Sequence, residues 1–233
     1  MTGGAGGHAS TYDRVLHAIG SAIVSGALPE GHTDTVEGLT GRTGASRSIV
    51  REALRVLGAL GMISAGRRVG VKVLPRATWN VLDPLVIRWR LASPERAAQL
   101  AELRALRRAV EPEAARLAAH RPAPDQVEHL REAAAHLATS QGAEEFLVAD
   151  RRLHGLVLAM SGNAMFVRLQ AVVDEALRER AHRPDRPDHA VPHDVELHLA
   201  VAEAVARHDG DRAAALMRTI IDRTAGDEHG PHT

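Results

Sequence analysis

Apolar side chains recur every three or four residues along most of this chain, a spacing that predicts a mainly helical protein. The first helix is predicted over residues 12–24, and Gly26 with Pro29 ends it. Residues 1–10 are rich in glycine and small polar side chains, so we expect a disordered tail there. Residues 227–233 are interpreted as a second tail.

Two further helices are predicted before residue 61. Asp34, followed three residues later by Glu37, resembles a capping box and predicts a short helix through Thr40. Ser46 is a candidate N-cap for a third helix over residues 47–60. The inward face of that helix would carry Ile49, Val50, Ala53, Leu54 and Leu57.

Residues 62–73 read as two short strands around a Gly/Arg turn, which predicts a β-hairpin closed by Pro75. Three helices followed by a hairpin give the element order of a winged helix-turn-helix, predicted here over residues 11–75. Residues 76–94 contain two X-Pro pairs around an apolar stretch and are interpreted as a linker or junction.

Beyond the linker every segment has helical periodicity, so we predict an antiparallel all-helical bundle over residues 95–226. Pro112 should kink or split the first helix of that bundle. The predicted helices cover residues 95–119, 125–139, 143–160, 164–182, 192–208 and 211–224. The predicted fold class is therefore mainly α, with a small β-hairpin wing in the N-terminal domain.

Composition limits the classes of function open to the chain. A length of 233 residues suits two unequal domains, and 45% hydrophobic with only 2% aromatic residues favours closely packed aliphatic helices. Cysteine is absent, so disulfides and thiolate metal sites are excluded. No apolar run is long enough to span a bilayer, and the first residues do not resemble a signal peptide. We therefore expect a cytoplasmic protein without a membrane partner.

The formal net charge is +0, but residues 11–75 hold eight basic and only five acidic side chains. In a helix-turn-helix the N-terminal residues of the second helix lie near base edges in the major groove. Exposed arginines are common and alone favour a solvated surface, but a hairpin with arginine at its tip favours operator DNA. The candidate DNA contacts are Ser46, Arg47, Ser48 and Arg51 on the helix, and Arg67, Arg68 and Lys72 on the wing.

A second candidate site lies in the predicted bundle. Asp150 and His154 are four residues apart, so they share a face of one helix, and His198 lies on a later helix. Carboxylate and imidazole groups suit Zn, Mn, Ni or Fe(II). In a chain with 14 histidines this spacing also arises by chance, and spacing alone favours a surface ion pair.

A resemblance to a known family makes the DNA interpretation more specific. Residues 45–57, ASRSIVREALRVL, followed by Gly61-Met62-Ile63, resemble the signature of the GntR family of repressors. The resemblance implies that Arg47 and Arg51 are the principal DNA contacts. The chain departs from the family at residues 33–37, where a Leu-Pro-Ser-Glu-like cap is usual, and the acidic side chain at position 37 would repel phosphate.

The bundle resembles the FadR-type (FCD) ligand domain of the same family over three segments, residues 106–118, 149–163 and 198–209. The combined resemblance covers about residues 12–222. In that domain type one Asp and three His hold a metal ion, and a carboxylate effector binds beside it with help from an Arg.

Carried over to this chain, the resemblance implies that Asp150, His154 and His198 are metal ligands and contact the effector. Arg107 would be the effector's anchor, and the third histidine should fall near the position of Ile220. Two alternatives stay open. Three ligands hold a divalent ion (Zn, Ni or Mn), or a metal-free pocket binds the hydroxyl groups of the effector directly.

Residues 76–89 and 208–211 are similar to a branch of the family that responds to sugar acids. We therefore expect a homodimer that binds a palindromic operator and is released by a small carboxylate such as a sugar acid. Activation instead of repression is an alternative.

Two other classes of function are alternatives. A metal-dependent enzyme would use Asp150, His154 and His198 as ligands, with Glu111 or Asp194 as the general base. The sequence contains no His-Glu-x-x-His, and an enzyme would leave the Arg-bearing hairpin unexplained. A pure interaction module would leave the Asp/His set without a purpose. We therefore predict that the chain is not an enzyme.

Overall fold

The computed structural model describes residues 10–66, 70–181 and 192–226. These form two compact units that divide after Gln99. The predicted tails, except for Ser10, and nearly all of the predicted irregular segment at residues 183–192 lie outside the described residues.

The first unit begins with three helices close to the predicted positions: α1 (Thr11–Val24), α2 (Val36–Thr43) and α3 (Arg47–Ala59). Ser10 starts α1 through a capping box, because its hydroxyl accepts the Asp13 N–H and the Asp13 carboxylate accepts the Ser10 N–H. Ser46 caps α3 as predicted, and its hydroxyl accepts the N–H of Ile49.

The predicted capping box at Asp34 is wrong. Thr35 is the N-cap of α2, and its hydroxyl accepts the N–H of Gly38 at 2.9 Å. The Asp34 carboxylate instead accepts the Thr35 N–H at 2.7 Å and pairs with Arg42 at the other end of the helix. The helix ends where Gly44 adopts a φ of +64°, a conformation that costs glycine little.

A small antiparallel sheet completes the helix-turn-helix. The predicted hairpin is confirmed as β2 (Ile63–Gly66) and β3 (Gly70–Val73), and a third strand, β1 (Thr33–Asp34), pairs with the other side of β3. Two residues are too few to show a strand periodicity, so β1 was not predicted. Gly70 has a φ of +74°, and a Cβ there would lie 2.3 Å from the carbonyl oxygen of Asp34.

The segment interpreted as a linker contains a helix, α4 (Pro84–Leu91), which starts at an Asp83 cap with proline in the first turn. Trp89 of α4 packs against α1 in the buried core of the first unit. Its indole N–H donates to His17 Nδ1 at 2.9 Å, and a Cβ on Gly20 would lie 2.4 Å from its ring. Trp89 thus helps to fix α4 to α1, and its ring needs a glycine opposite it.

The second unit is a bundle of helices. They are α5 (Arg96–Ala118), whose first four residues belong to the first unit, α6 (Pro124–Thr139), α7 (Ala143–Met160), α8 (Ala164–Arg168), α9 (Gln170–Ala181), α10 (Pro192–Ala206) and α11 (Gly210–Gly226). The helix α5 continues through Pro112, so the expected split does not occur. The predicted helix over residues 164–182 is two helices, α8 and α9. Contacts of α7 with α6 and α9, and of α10 with α6 and α11, enclose an apolar core.

Candidate functional site

The buried face of α7 carries two polar residues within an apolar stripe. Leu147, Leu153 and Leu158 of α7 are buried. Asp150 and His154 are buried as well, each with only 1% of its surface exposed. Residues at this spacing share one face of a helix, so the same periodicity that buries the leucines buries the carboxylate and the imidazole. The surface ion pair favoured by spacing alone is therefore wrong.

His198 on α10 meets these two side chains inside the bundle and is fully buried. Its Nε2 atom lies 3.1 Å from Asp150 Oδ1, and His154 Nε2 lies 3.4 Å from the same oxygen. The two rings are edge to face, with centroids 5.7 Å apart. One ligand atom from each residue lies within 4.8 Å of the others, close enough to surround a single metal ion.

The outer nitrogen of each imidazole is held by a hydrogen bond. His198 Nδ1 donates to the backbone oxygen of Asp194 at 2.5 Å, and His154 Nδ1 bonds to Glu111 Oε2. The inner atoms, both Nε2 atoms and Asp150 Oδ1, are buried. Although each Nε2 lies within 3.4 Å of that oxygen, none of the three atoms forms a hydrogen bond of good geometry among the described residues. Metal-binding histidines are usually fixed in this way, through a carboxylate or backbone oxygen on the far nitrogen. The donor set therefore fits a metal ion.

Arg107 joins the cluster through Glu111, one helical turn along α5. Arg107 Nε donates to Glu111 Oε1 at 2.5 Å, and both side chains are almost completely buried. Arg107 Nη2 is buried without a hydrogen-bond partner among the described residues. The four effector-site residues predicted from the sequence thus form one buried chain of contacts, with Glu111 as the connection.

Three residues of the cluster were missed as site residues. Glu111 and Asp194 entered the sequence analysis only as general bases of an enzyme, although each lies four residues from an assigned residue and so shares its helix face. Arg180 at the end of α9 carried no sequence signal. It pairs with the Asp194 carboxylate, and its Nη1 lies 3.8 Å from Asp150 Oδ2.

The charges in the cluster shift one another's pKa values. Burial alone would raise the pKa of Glu111, but Arg107 and His154 outweigh it and lower that pKa to about 2. Burial alone would lower the pKa of His154, yet the carboxylates of Glu111 and Asp150 raise it to about 9. Burial opposes ionisation of Asp150 too, but the two imidazoles hold its pKa well below the usual range. Without a metal ion, His154 is therefore protonated at neutral pH.

The position expected for a third histidine lies on α11. Ile220 is buried there in the apolar core of the bundle. Among the described residues, only Asp150, His154 and His198 form a group of potential metal ligands.

The second candidate site is the start of α3. Arg47, Ser48 and Arg51 are exposed, while Val50 and Leu54 on the other side of the helix are buried. Arg47 Nη2 lies 3.2 Å from Glu37 Oε1 on α2.

The remaining predicted DNA contacts lie next to this helix or on the hairpin. Ser46 Oγ caps α3 and is 2.9 Å from Ser48 Oγ. Lys72 is exposed on β3. Arg67 and Arg68 lie outside the described residues.

Both candidate sites lie in parts of the chain that match known families. Residues 11–73 match the family described as bacterial regulatory proteins, gntR family, and residues 102–223 match the FCD domain. This chain belongs to the GntR family of bacterial regulatory proteins. The resemblance stated from the sequence is confirmed for both parts of the chain.

Individual relatives agree with this assignment. The chain is 31% identical to the galactonate operon transcriptional repressor of Escherichia coli (strain K12) over 212 residues, which are 90% of this chain and 93% of that protein. It is 29% identical to the HTH-type transcriptional regulator YieP of the same organism, over 76% of this chain and 77% of the relative.

The solved structure of Lar, which controls the expression of the Listeria monocytogenes agr system, has a similar fold. The TM-score is 0.57 at 17% identity, over 94% of this chain and 97% of Lar.

As a GntR-family protein with an FCD domain, the chain is a DNA-binding transcription regulator and not an enzyme. The enzyme alternative is therefore not favoured, and the buried cluster belongs to a domain that binds a small-molecule effector. Among the described residues, no helix combines the length and hydrophobicity that a membrane span requires.

Proposed function

We propose that this chain is a cytoplasmic, homodimeric repressor of a carbohydrate-acid catabolic operon, and that its effector is a sugar acid bound beside a divalent metal ion. The observation that carries the proposal is a set of buried atoms that form no hydrogen bond with the described residues: Asp150 Oδ1, His154 Nε2, His198 Nε2, Arg107 Nη2 and Arg180 Nη1. Buried polar atoms are nearly always paired in folded proteins, so five such atoms in one cluster indicate a site for a bound group.

The three inner atoms suit the metal. Two imidazole nitrogens and one carboxylate oxygen are ligands for Zn, Ni or Mn, and three protein ligands leave a position for another oxygen. When bound, the ion would act as a Lewis acid that attracts a carboxylate or hydroxyl oxygen of the effector. Because His154 is protonated without the metal, binding must displace that proton.

Arg107 suits the effector carboxylate, since a guanidinium donates to a carboxylate in a fixed, often bidentate geometry. Nη2 of Arg107 is the buried donor that Glu111 leaves unused. A sugar acid combines one carboxylate with several hydroxyl groups, and this composition matches one arginine next to a metal or an Asp/His set. The identity to a galactonate operon repressor supports this class of effector.

The start of α3 suits the DNA contact. We assign base and phosphate contacts to Arg47, Arg51 and Lys72, with Ser46 and Ser48 beside them. A homodimer would present two copies of α3 to the two halves of a palindromic operator. An effector that binds one arrangement of the dimer more tightly shifts the population toward it, and we expect that arrangement to release DNA.

Fluorescence anisotropy tests the repressor and its effector together. The full-length protein is titrated onto duplex DNA from upstream of its own gene at fixed salt, with and without galactonate and other sugar acids. We expect specific binding that one sugar acid relieves. Specific binding that no sugar acid affects would contradict the effector class, and binding without sequence preference would contradict the operator assignment.

Metal content tests the ion separately. After EDTA treatment and dialysis against Zn²⁺, Ni²⁺ or Mn²⁺, we expect about one ion per chain by elemental analysis, because the three ligands surround one position. His154→Gln should abolish this stoichiometry, whereas His136→Gln, which removes an exposed imidazole from α6, should not. Effector binding by a protein without metal would favour direct hydrogen bonding of the effector to the Asp/His set.

A further inference from the structure

An exposed carboxylate lies beside the arginine that starts α3. Glu37 is the second residue of α2, Arg47 is the first residue of α3, and their side chains are 59% and 66% exposed. Glu37 Oε1 and Arg47 Nη2 are 3.2 Å apart, so the carboxylate forms an ion pair with a side chain that is itself a candidate base contact.

Such a pair does little for the stability of the fold. Two charges that are mostly exposed to solvent attract each other weakly, and salt screens the attraction further. The carboxylate also opposes DNA binding, because it brings a negative charge toward the phosphates and cancels part of the charge of Arg47. A hydrogen-bond donor on the DNA would offset this cost.

The major groove offers that partner. The amino group at N4 of cytosine is a donor that Glu and Asp accept from, and O6 and N7 of guanine are acceptors that Arg donates to. Arg47 has five N–H donors and uses one nitrogen for Glu37, so the other nitrogens remain for a base. Because the two side chains are in contact, the bases that they reach would be neighbours in the duplex.

We propose that Glu37 and Arg47 form one base-reading unit, in which Arg47 donates to a guanine and Glu37 accepts from cytosine N4 in the neighbouring base pair. This inference rests on the proposed insertion of α3 in the major groove. Glu37 lowers the affinity for DNA in general and raises the preference for one cytosine in each half-site. The unusual acid at position 37 is then a determinant of operator choice.

Selection from a random duplex library tests the pairing with the full-length protein. Wild type should enrich a palindromic site with a guanine next to a cytosine in each half. Glu37→Gln should keep the guanine and lose the preference for cytosine, and Arg47→Gln should lose the guanine. A good base contact discriminates by about fivefold or more. For Glu37→Gln, the ratio of the affinity for the selected site to the affinity for the same site with its cytosine replaced should therefore be lower than for wild type by at least that factor.

Glu132→Gln is the matched control, because Glu132 forms an exposed pair of almost the same length, 3.1 Å, with Arg152 in the second unit. It removes the same charge from the protein and should leave the selected sequence unchanged. Glu37→Gln, but not the control, should also bind a scrambled duplex more tightly at low salt, since the repulsion of phosphate is gone.

The possible failures are distinguishable. If Glu37→Gln selects the same sequence as wild type, with cytosine retained, the base-reading role of Glu37 is wrong while the operator assignment stands. If wild type enriches no sequence, the insertion of α3 in the groove is wrong, and this inference fails with it. Thermal melting of each variant is the control for folding. A variant that melts like wild type but no longer selects the base has lost a DNA contact and not its structure.

Discussion

Two arginine–glutamate pairs, one in each unit, join the same chemical groups in opposite surroundings. Arg107 and Glu111 lie within the bundle, with side chains 4% and 1% exposed. Arg47 and Glu37 lie on the surface of the helix-turn-helix, with more than half of each side chain in solvent. The buried pair is hydrogen-bonded at 2.5 Å and the exposed pair is more open at 3.2 Å, but the larger difference between the two pairs is burial.

The comparison separates stability from recognition. In a buried pair each charge depends on the other, because water is not available to replace a lost partner. In an exposed pair water replaces the partner easily, so the side chains remain available to a ligand. We therefore expect substitutions at the buried pair to act mainly on the fold and substitutions at the exposed pair to act mainly on DNA selection.

The largest effect is expected from Glu111→Ala. It leaves Arg107 and protonated His154 buried without their common carboxylate, and breaking a buried pair typically costs about 3–5 kcal/mol of unfolding free energy. Urea denaturation measures the change. Glu113→Ala, two residues along the same helix, removes a solvent-accessible pair with Arg116 and should change the free energy by no more than about 0.5 kcal/mol. Equal costs for the two variants would contradict the comparison.

The next effect is a pH dependence of the protein in EDTA. The pKa of His154 in the folded protein, about 9, lies above the usual histidine value of 6.5. Between pH 6.5 and 9 the native state therefore binds more protons than the unfolded state. The contribution of the His154 proton to the free energy of unfolding is complete below pH 6.5 and is lost as the pH rises toward 9. The loss should be on the order of 3 kcal/mol, which follows from about 1.4 kcal/mol for each pKa unit.

Denaturation at several pH values between 6.5 and 9 tests this slope. His136→Gln, which removes an exposed imidazole, should show the same slope as wild type. A metal ion on His154 would replace the proton, so metal-loaded protein should lose the slope. A flat profile in EDTA would mean that His154 is neutral in the folded protein.

Two glycines give a similar comparison of a buried with an exposed position, without any charge. Gly20→Ala would place a Cβ 2.4 Å from the ring of Trp89, so the ring must move, and overpacking of this kind costs about 1–3 kcal/mol. Gly41→Ala in α2 meets nothing within 4 Å and should stabilise the protein by about 0.4–1 kcal/mol. Thermal melting distinguishes the two substitutions by the sign of the change. A stabilising Gly20→Ala would mean that Trp89 does not depend on the glycine.

The smallest effect on stability is expected from Glu37→Gln. Both members of its pair are exposed, so the free energy of unfolding should change by no more than about 0.5 kcal/mol. Urea denaturation beside the DNA selection measurements shows whether recognition and stability separate. A loss as large as that of Glu111→Ala would remove the distinction between the two pairs.

Much of this architecture follows from the sequence, because the apolar periodicity of a helix is repeated over many consecutive turns. The bounds of α7 are those predicted, and α3 ends within one residue of its prediction. The errors are local. Either Asp34 or Thr35 can cap a helix, and the pairing of Asp34 with β3 makes Thr35 the cap.

The candidate site was predictable only in part. Asp150 and His154 share a helix face by spacing, but spacing alone does not say whether that face is buried. Arg180 reaches the cluster from a different helix, and only the packing of α9 against α7 brings it there. Contacts between helices distant in sequence have no local signal, so the supporting residues were the ones missed.

Because Trp89 packs against α1, its intrinsic fluorescence can report on the first unit. Its indole and that of Trp79 are the only two in the chain, and both precede residue 100. Intrinsic emission excited at the indole band therefore comes entirely from the DNA-binding half, and a sugar acid held by Arg107 has no chromophore of this kind in its own unit. Any change in emission on adding effector would therefore report a change in the unit that does not contain Arg107.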